Sequence, residues 1–398
     1  MNQGIASKEG VVPNPPVYEP LGLDTIENPE PIYDYLLAEH PVHWHAQMQC
    51  WVVARYEDCR YVLTNSDLYA RDFRLAGEDV PDDKQSVQSM DPPEQTALRN
   101  FLMSAIKLQP ITEICRQGCD IIRHRLEELE PSGEFEFQKE IAAPYGMFVV
   151  SKLLGIREPN LDEFAAVSEA IARRMDAGLD PSTAAPGDSA RRRLYELVDD
   201  WLSQPGSDQG LLAMVQGRSD SLGYPRHVIR NTIGIIVNAG YSTTFATTGN
   251  ATLALLRNPD ALEKLRDRSV LPLAVEEIVR VAGPAQGTSR VTTRDTELSG
   301  VPIKRGEVVL TLFAAANRDP RQFDRPAEMI LDRSPNRHLG FGWGPHACLG
   351  GFVGQQALAE YLSCLANLPR AIELAGTPRR RRTATLRCLE YLPVRLRN

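Results

Sequence analysis

The chain has 398 residues, of which 42% are hydrophobic and 24% charged, the profile of an ordinary globular protein with a sizeable core. A formal net charge of −8 argues against a nucleic-acid partner, and the one basic run, 379–382, reads as a solvated loop. Seven cysteines, an odd number without paired spacing, point to a reducing compartment, and no stretch is apolar for the length of a membrane span.

In chain order, residues 1–20 read as a flexible N-terminal arm broken by Pro13, Pro15, Pro16 and Pro20, with no secretory pattern. A cytoplasmic protein is therefore expected. Residues 31–38 predict a short helix. His43 to His45 and Cys50 to Ala54, rich in apolar and aromatic residues, predict a hairpin. The His-x-His pair suits surface packing better than a metal site, because no further ligand cluster lies nearby in the sequence. A second helix is expected over 56–63, then a long polar loop over 70–90. Loops of that length inside a compact domain tend to be functional. In Asp91-Pro92-Pro93-Glu94-Gln95 the prolines are expected to start a helix that places Gln95 and Arg99 one turn apart on one face.

Helical spacing recurs over 111–129, 141–154, 160–174 and 190–202, with a Pro-, Gly- and Ser-rich loop expected over 175–189. The longest helical run, 227–256, opens too apolar for an exposed helix. At its middle lie Ala239, Gly240, Tyr241, Ser242, Thr243 and Thr244, where hydroxyls can bond the i−4 carbonyl and open the helix locally. Glu277 and Arg280 share a face of the next helix, 273–281. An extended segment follows over 284–290, then strand pairs over 291–298 and 301–312, and a last strand pair over 386–394.

The densest signal is Phe341-Gly342-Trp343-Gly344-Pro345-His346-Ala347-Cys348-Leu349-Gly350. Its glycines suit a sharply bent loop, and a helix is expected from Gly351 onward. That would set Cys348 at a helix mouth, where free N–H groups favour the thiolate. A thiolate so held can ligate haem iron.

This stretch resembles the haem-binding loop of the cytochrome P450 family, Phe-Gly-x-Gly-x-His-x-Cys-x-Gly, at every fixed position. The resemblance extends over nearly the whole chain after about residue 20, through weaker motifs in the same order. It implies a mainly α fold with a smaller β-rich lobe, formed by residues 21–398 as a single domain. It implies haem b held by Cys348 as the axial ligand of the iron, within the loop of Phe341, Gly342, Gly344 and Gly350. The haem carboxylates would meet Arg99, Gln95, Arg290 and His346. Glu277, Arg280 and Arg333 would form a buried brace, and the loop over 175–189 a lid on the substrate channel. Ala239, Gly240, Ser242 and Thr243 would form the oxygen-binding groove.

The implied activity is oxidation of a small or medium-sized organic molecule with O2 as co-substrate. Electrons would travel from NAD(P)H through a ferredoxin reductase and a ferredoxin-type partner, and a monomer is expected. Met90, Asn238, Gln286, Thr288 and Leu386 mark the regions expected to line the substrate pocket. Two positions depart from the family pattern: Gln95 stands where a histidine is usual, and Ser242 where an acid is usual. The second lends weight to oxidative coupling or ring closure beside plain hydroxylation, in a setting of bacterial natural-product biosynthesis. A haem-free interaction domain of the same fold is the remote alternative.

Overall fold

The computed structural model describes residues 18–204 and 209–397. The expected arm, 1–20, lies outside them except at its end, where Tyr18 is buried edge-on to His43 and His45. The body is helical, with several small sheets, one of five strands and the others of two or three among the described residues. Its axis is helix α1, Arg226–Leu256, 31 residues long. Ile229, Ile233, Val237 and Tyr241 recur at helical spacing and are all buried, so flanking helices wrap this one. Gly240 lets it approach Ala143–Leu154: a Cβ there would lie 2.9 Å from Val150 Cγ2. The helix runs unbroken through Thr243, whose Oγ1 donates to the Ala239 carbonyl at 2.7 Å. The expected i−4 bond forms without the local opening, because the hydroxyl takes a second position on a carbonyl already in the ladder.

Helix α2, Leu271–Ala282, and helix α3, Gly351–Ala366, pack beside it in the main core. The principal sheet orders its strands Val42–His45, Cys50–Val53, Val308–Thr311, Thr288–Thr292 and Tyr69–Ala70, with only the second and third parallel. Its register sets Tyr69 against Thr292 and Ala70 against Val291. The next residues along, Arg71 and Arg290, therefore emerge side by side.

Three expectations shift. The helix after the double proline starts at Thr96, with Gln95 as its cap, because Pro92 and Pro93 occupy a turn and proline disfavours helical geometry in the residue before it. The one-turn spacing persists, Arg99 N donating to Gln95 O at 2.9 Å. The loop expected over 175–189 ends early, since a helix begins at Ala184. Pro186 sits in that helix's first turn, where a missing N–H removes no helical bond, and a Cβ at Gly187 would lie 2.2 Å from Arg174 Cβ. Over 386–394 the two strands do not pair with each other. Leu389–Tyr391 joins Arg379–Arg380, whereas Pro393–Leu396 joins Glu134–Glu136 and Ile372–Leu374. The buried Leu392 between them, donating its N–H to Glu136 Oε1 at 2.8 Å, carries the chain onward instead of back.

Candidate functional site

The cysteine loop folds tightly on itself. Cys348 N donates to Phe341 O at 2.7 Å and Gly342 N to Leu339 O at 2.8 Å. Gly342 and Gly344 sit at φ +65° and +71°, a region costly for residues with a Cβ. At Gly344 a Cβ would also lie 2.4 Å from the Leu63 carbonyl, so this glycine lets the loop settle on helix Tyr56–Thr64. Gly350 caps α3 and accepts from Gly354 N at 2.8 Å.

Cys348 is solvent-exposed by area while closely surrounded by protein on its other sides. Burial pushes its thiol above the ordinary value, against the lowering pull of the Gly350 N–H and the Arg99 guanidinium. The helix begins three residues further on, at Gly351, and the Gly350 N–H just before it is the backbone donor beside the sulfur. A metal ion at this position would supply the missing stabilisation, because metal binding displaces a thiol proton. Arg99 reaches back from its helix and donates to the Ala347 carbonyl.

The expected carboxylate anchors gather, with additions. Arg290 is buried, and its guanidinium is lowered to about 9 by burial first and by Arg71 second. His346 Nε2 lies 2.6 Å from Asp91 Oδ1 and 3.2 Å from Gln95 Nε2. One ring nitrogen cannot donate to the first and accept from the second, and the shorter contact to a carboxylate assigns the proton to Nε2. His346 is thereby committed to Asp91. Arg71 and Asp91 were not legible as site residues, since only the register beside Tyr69–Ala70 brings Arg71 to Arg290.

The brace is fully made. Glu277 Oε1 and Oε2 accept from Arg280 at 2.8 Å each, from Arg333 Nε at 3.2 and 3.0 Å, from Ile330 N at 2.7 Å and from Asn336 Nδ2 at 3.0 Å. Both arginines spend their remaining N–H groups on carbonyls of 317–328. From there a relay reaches the cysteine loop: Arg280 holds Asn317 O at 2.9 Å, Asn317 Oδ1 accepts from Leu339 N at 2.7 Å, and Leu339 O accepts from Gly342 N. Glu276, next in sequence, ties α2 to His338 at 2.9 Å and to Gln355 of α3 at 2.7 Å.

Across from this, Ala239 is exposed midway along α1, and Ser242 and Thr243 are partly exposed. Among the described residues the Asn238 side-chain oxygen is buried without a hydrogen-bond partner, so one end of its amide is unsatisfied. Of the other expected pocket residues, Met90 and Leu386 are buried. Two already have their polar atoms hydrogen-bonded within the protein. The Gln286 amide accepts from Tyr33 at 3.2 Å and donates to Gly283 O and Pro284 O. The Thr288 hydroxyl accepts from Arg71 and Arg290 at 3.3 Å each. The arginine cluster takes the Thr288 hydroxyl, whereas Tyr33 and the carbonyls of 283–284 take the Gln286 amide.

An exposed cysteine beside the Gly350 N–H and Arg99, together with the buried Arg290 and a helix that exposes Ala239, fits a flat apolar group bearing carboxylates and a thiolate-ligated iron.

Comparison with known proteins gives a consistent picture. The family described as "Cytochrome P450" matches residues 196–365. "Putative cytochrome P450 126" of Mycobacterium tuberculosis strain H37Rv is 32% identical over 392 residues, 90% of this chain and 92% of that protein. The crystal structure of CalO2 superposes with a TM-score of 0.84 at 28% identity, covering 96% of this chain and 98% of that one. The solved structure of CxnD, a cytochrome P450 enzyme for C–S bond formation in chuangxinmycin biosynthesis, superposes with a TM-score of 0.81 at 25% identity, covering 93% of this chain and 95% of that one.

Proposed function

This chain belongs to the cytochrome P450 family, haem-iron enzymes that use O2, and on that premise we propose that it oxidises a small organic molecule in bacterial natural-product biosynthesis. The observation that carries the reading is the cysteine loop, bent by Gly342 and Gly344 so that Cys348 N meets Phe341 O at 2.7 Å. Cys348 would hold the iron, and Arg99, Arg290 and Gln95 the haem carboxylates. Bound there, haem b supplies reductive activation of dioxygen. Thr243 keeps a hydroxyl on the α1 groove, anchored to Ala239 O, and Ser242 beside it passes a proton through water without being an acid reservoir at neutral pH. The buried Asn238 oxygen orients a substrate carrying an N–H or O–H group. Glu277, Arg280 and Arg333 keep the loop in register through Asn317.

Hydroxylation is the leading outcome. Oxidative coupling is the second reading, supported by Ser242 in place of an acid and by the likeness to CxnD, an enzyme for C–S bond formation. A haem-free interaction role fits poorly with the full set of loop, arginine and brace residues. Electrons would come from NAD(P)H through a ferredoxin reductase and a ferredoxin-type partner in the cytoplasm, docking near the cysteine loop. Leu108 and Phe352 are exposed there by 72% and 45%, and a 3.2 Å Thr112–Gln356 bond joins their segments.

The reading is tested by the reduced protein under carbon monoxide. A red-shifted Soret band, abolished in Cys348→Ala, is expected. A histidine-type band would overturn it. The product mass then separates the outcomes: one added oxygen for hydroxylation, two lost hydrogens for coupling.

A further inference from the structure

We propose that Arg71 is a third arginine that positions the haem through its carboxylates, supplying the charge that Gln95 lacks. The proposal rests on the haem reading above.

The geometry is that of a cation pair without a facing anion. Arg71 Nη1 donates to Ser289 O at 3.0 Å and to Thr288 Oγ1 at 3.3 Å. Arg290 Nη1 donates to the same two atoms, at 2.8 and 3.3 Å. Sharing acceptors forces the two guanidinium groups together, and their mutual repulsion is one reason that Arg290 is lowered to about 9. Among the described residues, neither guanidinium forms an ion pair with a carboxylate.

The one carboxylate at hand is Asp91, and its oxygens are taken. Oδ2 accepts the backbone N–H groups of Arg71 and Asp72 at 2.7 and 2.8 Å. Oδ1 meets His346 Nε2 at 2.6 Å. Two cations withdrawn from water beside one committed anion leave the cluster with a surplus of positive charge, costly unless a ligand balances it. The ligand that fits is one carrying two carboxylates, and haem has that chemistry. Asp91 holds Arg71 by the backbone, so no carboxylate among the described residues holds its guanidinium, whose bonds go to neutral oxygens of Thr288 and Ser289. His346 has its ring proton turned to Asp91 and Gln95 is neutral, so neither brings the charge that Arg71 does.

The test uses the haem-loaded protein. Haem loss is followed by transfer to excess apomyoglobin, and the reduction potential of the bound haem is measured alongside. Arg71→Gln is expected to lose haem about 10- to 100-fold faster, the loss of a charge-assisted hydrogen bond. Its potential should move to more negative values, since a nearby positive charge favours the reduced iron. Arg71→Lys should recover the potential and only part of the retention, because the charge stays while the forked donors go. Wild-type haem loss and an unchanged potential in Arg71→Gln overturn the proposal. If Arg71→Gln does not fold, Arg71→Lys decides: faster haem loss than wild type upholds the role and an equal rate overturns it. Absence of a thiolate-type spectrum in the wild type would instead sink the Cys348 reading.

Discussion

The Asp176 carboxylate holds Thr385 twice, accepting from its Oγ1 at 2.6 Å and its N–H at 2.9 Å, and accepts from Ala384 N at 2.8 Å as well. Asp176 lies in the turn after helix Leu161–Arg174, in the segment expected to cover the substrate channel, and Thr385 precedes Leu386, which is proposed to line the substrate pocket. The carboxylate is buried, which raises its pKa despite the donors from Thr385 and Ala384. A second tie, Gln47 Nε2 to Leu179 O at 2.9 Å, closes the same turn from the other side.

Removing this clasp should free the turn. Hydrogen bonds to a charged group contribute about 1.5–3 kcal/mol each, so Asp176→Ala should speed amide exchange at Ala384 and Thr385 about 10- to 100-fold. Hydrogen-exchange mass spectrometry reads this without any knowledge of the substrate. Unchanged protection at those two amides would show that the turn is held by packing alone.

The exposed pair Leu108 and Phe352 offers a test of the electron route. Large exposed apolar groups of this kind serve as contact anchors, and truncating such an anchor costs about 2 kcal/mol or more of binding. A Leu108→Ala, Phe352→Ala double variant should raise the KM for a ferredoxin at least about 10-fold. Reduction by dithionite, which needs no protein partner, should stay unchanged. A ferredoxin KM equal to wild type would move the docking face elsewhere.

Thr243 and Ser242 are expected to act on how electrons are spent. Positioned proton donors contribute about 10²- to 10⁴-fold to rate. Thr243→Ala should therefore divert NAD(P)H-derived electrons to peroxide, measured as peroxide formed per reduced nucleotide consumed. Ser242→Asp, which supplies a true acid, should change that ratio or the balance of products. If neither quantity moves in Ser242→Asp, the serine has no part in the outcome.

Much of this was legible in the sequence where chemistry is local. The cysteine loop, the apolar α1 with Thr243 bonded back to Ala239, and the Glu277–Arg280 spacing all express contacts made within one or two helical turns. What stayed hidden depends on pairing across long separations. Arg71 meets Arg290 only because Ala70 pairs with Val291, and Asp91 reaches His346 across 255 residues. Gln286 and Thr288 read as pocket residues because composition marks polarity but not which neighbour consumes it. The helix from Ala184 was masked by Pro186 and Gly187, which look like loop residues until the close approach to Arg174 gives the glycine a purpose.

Glu277 connects these long-range contacts to pH. Burial alone would raise its pKa, but the Arg280 guanidinium, the Ile330 N–H and Arg333 outweigh that and hold it below the ordinary value of 4.5. A carboxylate depressed in the folded state contributes stability above its unfolded pKa and loses it as pH falls through the folded one. Stability should therefore decline as pH drops below about 4.5, the carboxylate proton being taken up more readily by the unfolded chain. Glu277→Gln should remove that part of the slope in denaturant titrations at a series of pH values. It should also destabilise the protein at pH 7 by about 3–5 kcal/mol, since it leaves Arg280 and Arg333 buried without an anion. Such a loss would loosen Asn317 and Leu339 and with them the loop around Cys348, so protein that still folds should retain haem less well. An acid slope identical in wild type and Glu277→Gln would assign the pH dependence to other carboxylates.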